Sequence, residues 1–266
     1  MVVRIEKAGP VWTVIHDRPE ARNAMDPDSA DALVAAFKAF DAAADALVAV
    51  FWGAGGAFCA GFDLKHASSL SGDSGLDAFD FAPPGSPQPR APMGPSRMLL
   101  SKPVIGAIEG PAVAGGMELA LWCDCRVMAQ SAYMGVYCRR WGVPLIDGGT
   151  VRLPRIVGRG RALDLILTGR KVTAEECERI GLAERVVPHG KAREAAEAMA
   201  RDIARFPQVC MRSDRLSVYR QEGLELGDAL RGEWATSKAS FAAEGRDGAA
   251  RFASGKGRGG DFGDIG

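Results

Sequence analysis

The sequence has few histidines and no cysteine pair at the spacing of a metal site. The 266 residues include three histidines and six cysteines, and no two cysteines form a C-x-x-C pair. Because structural metal sites group these residue types at short spacing, we predict no metal ion. Cys123 and Cys125 lie in an apolar run and are interpreted as buried free thiols. We therefore predict a reduced, cytoplasmic protein.

The sequence also lacks a surplus of either charge and a long apolar run. Lys and Arg number 33, and Asp and Glu number 33, so the formal net charge is zero. A nucleic-acid-binding protein usually carries a basic surplus, so we expect no nucleic-acid partner. No uninterrupted apolar run reaches the ~20 residues of a membrane-spanning helix, and the first ten residues contain no apolar signal core. We therefore expect no membrane partner.

What the sequence does have is a glycine-punctuated apolar stretch, residues 103–129, that predicts a strand, a tight turn, a short helix and a second strand. Ala114-Gly115-Gly116 lets the backbone turn sharply into the helix, where the first N–H groups have no intrahelical partner. Glu118 lies in the first turn. This pattern suits an anion-binding turn with an acid or base beside it. The alternative is a plain Gly-rich turn whose Glu118 favours the helix dipole.

A second small-residue turn lies earlier in the chain. Residues 48–52 are wholly apolar, which predicts a strand buried on both faces. Four small residues, 53–56, then lead through residues 57–65 to another predicted helix start. The order of strand, glycines and exposed N–H groups is thus repeated.

The outer parts of the chain complete the predicted architecture. Residues 2–6 and 11–16 predict a hairpin, and Asp26-Pro27 predicts the start of a helix that continues to Ala46. Residues 68–95 contain six prolines, and such a segment is typical of a lid, a binding loop or a disordered segment.

Short helices and a last strand, residues 183–187, are predicted after residue 149, and from residue 190 the pattern is almost wholly helical. We therefore predict an α/β core over residues 1–190 and a C-terminal helical region, residues 191–266, that packs on another copy of the chain.

Taken together and in order, these segments resemble the crotonase superfamily, also called the enoyl-CoA hydratase/isomerase family. The resemblance covers nearly the whole chain, through residues 18–24, 57–65, 110–124, 152–158, 167–169 and 174–187. It implies a spiral of ββα units with a C-terminal helical trimerisation region. It also implies an acyl-CoA substrate, with no cofactor because coenzyme A is part of that substrate, and a homotrimer or a hexamer built as a dimer of trimers.

The resemblance implies specific site residues. The backbone N–H groups of Phe62 and Gly115 would form an oxyanion hole for the thioester oxygen, and Glu118 matches one of the two catalytic glutamates of the hydratases. The residues expected to contact substrate or coenzyme A are Arg22, Ala60, Asp63, Leu64, Lys65, Gly116, Cys138, Phe252 and Lys256. Phe252 and Lys256 would reach the nucleotide from a neighbouring subunit. For both lysines a solvated surface position is the alternative.

The sequence departs from the hydratase pattern at one position. The second glutamate of that pattern falls on Cys138, and a thiol of ordinary pKa is a poor replacement. Asp147 resembles the aspartate found beside the pocket in dienoyl-CoA isomerases and naphthoate synthases. We predict that Asp147 is the second acid/base group. The alternative is that Asp147 caps a helix that starts near Thr150.

These residues predict an enzyme that stabilises a thioester enolate. Hydration of a 2-enoyl-CoA or a double-bond shift fits best. Hydrolysis or decarboxylation of an acyl-CoA, or acyl-CoA binding with weak catalysis, are the alternatives, since one fold supports several reactions. Residues 70–95 are expected to form part of the acyl-pocket wall.

Overall fold

The computed structural model describes residues 2–70 and 74–257, and the end of the predicted C-terminal region therefore lies outside the described part. The strands are β1 (Val3–Ala8), β2 (Val11–His16), β3 (Val48–Gly53), β4 (Val104–Ile108), β5 (Ala112–Val113), β6 (Cys125–Ala129), β7 (Tyr133–Gly135), β8 (Val172–Thr173) and β9 (Arg185–Val187). The helices are α1 (Pro27–Ala42), α2 (Leu64–Ala67), α3 (Ser74–Asp77), α4 (Gly115–Trp122), α5 (Gly149–Val157), α6 (Arg159–Thr168), α7 (Ala174–Arg179), α8 (Ala192–Ala204), α9 (Gln208–Arg220), α10 (Leu226–Ser240) and α11 (Arg246–Ala253).

Six strands form the main sheet in the order β1-β2-β3-β4-β6-β9. The first two strands pair antiparallel, as the predicted hairpin requires, and the other neighbours are parallel. A smaller sheet, β5-β7-β8, lies beside it. The large share of parallel pairs explains why the central strands are apolar along their whole length.

The alternation of side chains in β3 divides the core into two layers. Ala49 and Phe51 belong to the larger cluster with α1 and α4, whereas Val48 and Val50 pack with α8. The prediction that this strand is buried on both faces is confirmed. The helical region after residue 190 thus begins with a helix that covers one face of the main sheet.

The first helix starts where the sequence predicts. The Asp26 carboxylate accepts a hydrogen bond from the N–H of Ser29 at 2.8 Å, and Pro27 is the first helical residue. The helix ends at Ala42, four residues before the predicted end at Ala46. The residues after Ala42 turn toward the next strand instead, with the N–H of Leu47 donating to the carbonyl of Pro10.

The proline-rich insert has little regular structure, as expected. Its described part contains only the four-residue α3, and a single 3₁₀ turn, Pro95–Arg97, closes it. No helix in the described residues is long and apolar enough to cross a membrane. The last three helices, α9 to α11, follow α8 in sequence, and α10 packs chiefly against α9 and the following turn, residues 241–245.

Candidate active site

A cavity of about 440 Å³ lies between α4, the proline-rich insert and the segment that precedes α5. Seven of the predicted site residues line it: Ala60, Phe62, Leu64, Gly115, Glu118, Cys138 and Asp147. The insert supplies Leu70, Leu76, Phe79, Pro92 and Met93, so the prediction that it forms part of the pocket wall is confirmed. Trp141 and Ile146 are exposed at the rim, which opens the cavity to solvent.

The two Gly-rich turns meet at this cavity in parallel. Cys59 pairs with Ala112, and the N–H of Val113 donates to the carbonyl of Cys59 at 3.0 Å. Phe62 and Gly115, which lie three residues further along these two segments, both line the cavity. Neither of their backbone N–H groups donates a hydrogen bond to another atom of residues 2–70 or 74–257. The cavity is therefore lined by two residues whose backbone N–H groups have no acceptor among the described residues.

The backbone around these donors is held in an uncommon conformation. Ala114, the residue before α4, has φ +53° and ψ −126°, a region that residues with a side chain rarely adopt. Gly61, at φ +99°, would carry a Cβ 3.1 Å from the Gly115 nitrogen. Such strain is typical of backbone that is held in place for a functional purpose.

Glu118 is 3% exposed and holds one carboxylate oxygen on two backbone donors. Its Oε1 accepts from the N–H of Asp147 at 2.9 Å and from the N–H of Gly149 at 2.8 Å. Burial, and then the negative charge of Asp147, raise the pKa of Glu118 to about 7, although the two N–H groups oppose that rise. The other oxygen, Oε2, accepts no hydrogen bond from the described residues.

Asp147 has a comparable arrangement with different donors. Its Oδ1 accepts from the N–H of Met93 at 3.0 Å and from Ser96 Oγ at 2.5 Å. Burial raises the pKa of Asp147, while the Ser96 hydroxyl, the Met93 N–H and the cations Arg97 and Arg152 act to lower it. Two buried carboxyl groups in different surroundings therefore line one cavity.

The alternative that Asp147 caps a helix is wrong. The residue before α5 is Gly148, at φ +99°, and no side chain caps that helix. The positive φ of Gly148 is a backbone conformation that a residue with a side chain rarely adopts, so glycine is favoured there. The Asp147 side chain turns away from α5 and toward the 3₁₀ turn at Pro95–Arg97.

Cys138 lines the cavity but lacks the properties of a nucleophile. The residue lies in the 3₁₀ turn Tyr137–Trp141 and is 5% exposed. Burial, followed by the charge of Glu118, raises the pKa of its thiol, and the neighbouring Arg139 does not reverse this. A thiol that stays protonated at neutral pH fills space and does not activate water.

The remaining predicted contacts do not line the cavity of this chain. Arg22 and Lys65 are exposed outside it. The Asp63 carboxylate caps α2 and pairs with Arg18 at 2.8 Å. Gly116 packs so closely on the backbone of Cys59 that a Cβ on Gly116 would be 2.0 Å from the Cys59 carbonyl oxygen. Phe252 and Lys256 lie at the exposed C-terminal end of the described chain, in and just after α11.

Sequence reasoning missed four residues that hold the site together. Asn23 is fully buried and donates to the carbonyls of Ala54 and Ala57, and Arg18 joins the same loop to Asp63. Their only sequence signal is position within a matching segment. Ser96 carries no local signal, because its partner Asp147 lies 51 residues away along the chain. Arg152 stands in the matching segment 152–158, but its contact with Ser96 spans 56 residues and has no local signature.

Similarity to known proteins agrees with this geometry. A family model described as enoyl-CoA hydratase/isomerase matches residues 6–254. The chain belongs to the enoyl-CoA hydratase/isomerase family. It is 37% identical to the enoyl-CoA hydratase EchA19 of Mycobacterium tuberculosis over 222 residues, 79% of each chain. It is 36% identical to a probable enoyl-CoA hydratase of Rhizobium meliloti over 240 residues, 90% of each chain.

Solved structures agree at the level of the fold. The enoyl-CoA hydratase from Bacillus anthracis matches with a TM-score of 0.85 at 28% identity, over 96% of each chain. The predicted crotonase-like α/β fold is thus confirmed, and family membership makes this protein an enzyme of the lyase or isomerase type. Among residues 2–70 and 74–257, no three His, Cys, Asp or Glu side chains are grouped so as to hold a metal ion.

Proposed function

We propose that the enzyme adds water across the double bond of a 2-enoyl-CoA thioester. The observation that supports this most is that Glu118 and Asp147 line one cavity beside the free N–H groups of Phe62 and Gly115. Hydration needs a base to activate water, an acid to protonate the α-carbon and donors for the thioester oxygen. This group of residues supplies all three.

The two N–H groups act as an oxyanion hole. When water attacks the β-carbon, the electron pair of the double bond moves toward the thioester, and its oxygen becomes an enolate. Fixed donors in a water-poor cavity stabilise that charge, and the loss of one such donor typically lowers the rate by about 10²–10³-fold. The donors at Phe62 and Gly115 belong to the backbone, so the bulk of Phe62 does not impair this role.

The two carboxyl groups divide the proton transfers. A proton shared by the pair resides on Glu118, because the charge of Asp147 favours the neutral form of Glu118 while a hydroxyl, an N–H and two cations stabilise ionised Asp147. Asp147 takes a proton from the attacking water, and Glu118 gives its proton to the α-carbon. The cycle closes when the proton on Asp147 returns to Glu118.

The cavity favours a bulky, uncharged acyl group. Its volume of about 440 Å³ lies in the range of ~300–1,000 Å³ typical of pockets for drug-sized ligands. Apart from Glu118 and Asp147, the described lining residues carry no charge, and Phe62, Phe79 and Trp141 contribute aromatic rings. Each buried methylene of the acyl group contributes about 0.8 kcal/mol.

A double-bond shift is the second candidate. The observation that favours it is Cys138, which stands where the resemblance expects a second glutamate and whose thiol has a raised pKa. A shift needs only a carboxylate that moves a proton between the α- and γ-carbons, and Glu118 with its free Oε2 suffices.

Isotope incorporation tests the proposal and separates the two reactions. The protein is incubated with trans-2-decenoyl-CoA or crotonyl-CoA in ¹⁸O-water, and the product is examined by mass spectrometry. We expect one ¹⁸O in a 3-hydroxyacyl product, a higher kcat/KM for the ten-carbon substrate, and loss of the reaction in Glu118→Gln. Deuterium uptake from D₂O without ¹⁸O would indicate the double-bond shift. Formation of neither a 3-hydroxyacyl product nor a product with a moved double bond contradicts both.

We further propose that Arg22, Asp63, Leu64 and Lys65 lie along the coenzyme A part of the substrate and that the protein is a homotrimer or a dimer of trimers. In a trimer, Phe252 and Lys256 would reach the nucleotide of a neighbouring subunit. Exposed apolar side chains on α10 support self-association. A cytoplasmic location stays a prediction of the sequence.

A further inference from the structure

One short segment, residues 91–98, which begins in the insert and continues past its end, touches each part of the site. Met93 lines the acyl cavity, and its sulfur would lie 2.5 Å from a Cβ placed on Gly115, so it packs directly on the turn that carries that N–H donor. The N–H of Met93 and the hydroxyl of Ser96 both donate to Oδ1 of Asp147. Acyl pocket, anion-binding turn and candidate base therefore meet at this segment.

The 91–98 segment is anchored independently of the cavity. Gly94, at φ +75°, donates to the carbonyl of Ala91 at 2.9 Å and lies so close to α1 that a Cβ would be 2.9 Å from the Ala30 carbonyl oxygen. Trp122 Nε1 donates to the carbonyl of Met98 at 2.8 Å. The segment is therefore held between α1 and α4.

Arg152 ties this segment to the Asp147 turn from behind. Its guanidinium donates to the carbonyl of Asp147 at 2.9 Å and to the carbonyl of Ser96 at 2.7 Å. Ser96, which is 1% exposed, and Arg152 line a second cavity of about 590 Å³ on the far side of Asp147, and neither lines the acyl cavity. Neither residue is therefore placed to touch an acyl group.

We propose that Ser96 is a positioning residue that fixes the Asp147 carboxylate by its Oδ1, so that Oδ2 alone is left to take a proton from water. This rests on the proposed role of Asp147 as the base. The Ser96 hydroxyl and the Met93 N–H both donate hydrogen bonds to Oδ1 of Asp147. Oδ2 accepts no hydrogen bond from the described residues. The carboxylate is thereby held in one orientation, as proton transfer requires.

The same contacts set the charge of Asp147. The titratable and charged groups that face it are Glu118 on α4, Arg97 beside Ser96, Arg152 on α5 and Cys59 below the turn. Among the hydrogen bonds and charges that favour ionised Asp147, the Ser96 hydroxyl is the strongest. Burial raises the pKa of Asp147 and the Ser96 hydroxyl counteracts this rise. Without the hydroxyl, the carboxyl group will therefore ionise at a higher pH.

The test is a pH titration of the free protein, labelled with ¹³C at aspartate and monitored by NMR. The Asp147 signal is assigned by its loss in Asp147→Asn. Ser96→Ala, which removes the hydroxyl, is compared with Ser96→Cys, which replaces it by a larger thiol that donates weakly. The matched control is Ser101→Ala, because Ser101 Oγ also donates to an aspartate, Asp41, at 2.8 Å but on the exposed surface. We expect the Asp147 midpoint to rise by about one pH unit in both Ser96 variants and to stay unchanged in the control.

Kinetics with trans-2-decenoyl-CoA supply the second readout. In Ser96→Ala we expect kcat to fall at least about tenfold with KM within about twofold, because the carboxylate is no longer held in line, and the acid limb of the kcat/KM profile to move to higher pH. An unchanged Asp147 midpoint together with wild-type kcat overturns the proposal. Wild-type activity in Asp147→Asn would instead contradict the role of Asp147 as base, whereas the NMR midpoint still decides whether Ser96 holds that carboxyl group.

Discussion

At the scale of single residues, folding disfavours the ionised form of Glu118. Its pKa of about 7 in the folded protein lies above its ordinary value of 4.5, so the native state binds more protons than the unfolded chain between those values. The contribution of Glu118 to the free energy of unfolding therefore falls as the pH rises through that window. The shift corresponds to about 3 kcal/mol once the pH is above 7.

Replacing Glu118 by Gln will remove this penalty. The amide oxygen of Gln can still accept the N–H groups of Asp147 and Gly149, but the side chain carries no charge. We expect the free energy of unfolding of Glu118→Gln at pH 8 to exceed that of wild type by about 3 kcal/mol, and the two proteins to be equal near pH 4.5. Urea denaturation at both pH values measures this.

The matched control for that measurement is Glu178→Gln, an exposed glutamate on α7. A surface change of this kind usually alters stability by no more than about 0.5 kcal/mol, at either pH. A Glu118→Gln protein that is less stable than wild type at pH 8 would show that the charged carboxylate is not penalised by burial.

Residue-level roles were only partly predictable. Glu118 and Gly115 follow from the turn in which they stand, because a helix start fixes where its N–H groups and first-turn side chains point. Asp147 was predicted as an acid/base group from the resemblance, and the local sequence left helix capping open. The contact that excludes capping, from Ser96 to Asp147, spans 51 residues and has no signature in the local pattern.

At the scale of elements, the two Gly-rich turns derive their function from being parallel neighbours. The sequence predicts each turn, but their register follows from the pairing of Cys59 with Ala112. The insert behaves differently, because its six prolines predict irregular structure without predicting its path. Its contribution to the cavity wall was expected, and the particular residues that line the wall were not.

Helix α10 presents an apolar stripe that a single chain leaves uncovered. Leu226, Leu230 and Trp234 repeat every four residues and are 73%, 54% and 71% exposed. Residues at this spacing share one face of a helix, and an uncovered apolar face of this kind is typical of a protein interface. The stripe is therefore expected to lie between subunits.

Placing a charge on that stripe will weaken self-association. We expect wild type to elute as a trimer or hexamer in size-exclusion chromatography with light scattering, and Trp234→Glu to shift toward the monomer, because a carboxylate buried in an apolar interface is unfavourable. Ala239→Glu is the control, since Ala239 is exposed about 140° around α10 from Trp234. A wild-type protein that is monomeric at micromolar concentration contradicts the proposed assembly.

At the scale of the whole molecule, the fold was predictable because many signals agree. The hairpin, the apolar central strands, the repeated turns and the helical C-terminal region each have a local cause, and together they match one known family over nearly the whole chain. Details that depend on contacts between distant segments were not predictable. One is the full burial of His16 at the end of β2.

His16 and Glu118 influence stability in opposite directions. Burial lowers the pKa of His16 to about 4, below its ordinary 6.5, so its contribution to stability is complete above pH 6.5 and is lost as the pH falls toward 4. The Glu118 contribution changes oppositely over nearly the same range. The contributions of His16 and Glu118 therefore largely cancel in the wild-type protein, whereas in Glu118→Gln the contribution of His16 is no longer offset.

The central claim is that Asp147, and not Cys138, is the partner of Glu118 in catalysis. The most direct measurement compares kcat for trans-2-decenoyl-CoA in wild type, Asp147→Asn and Cys138→Ala. Asn keeps an oxygen that accepts from Met93 and Ser96 and removes only the base, so we expect kcat to fall by about 10²–10⁴-fold. Cys138→Ala should retain kcat within about tenfold. Wild-type kcat in Asp147→Asn, or a loss confined to Cys138→Ala, would contradict the account.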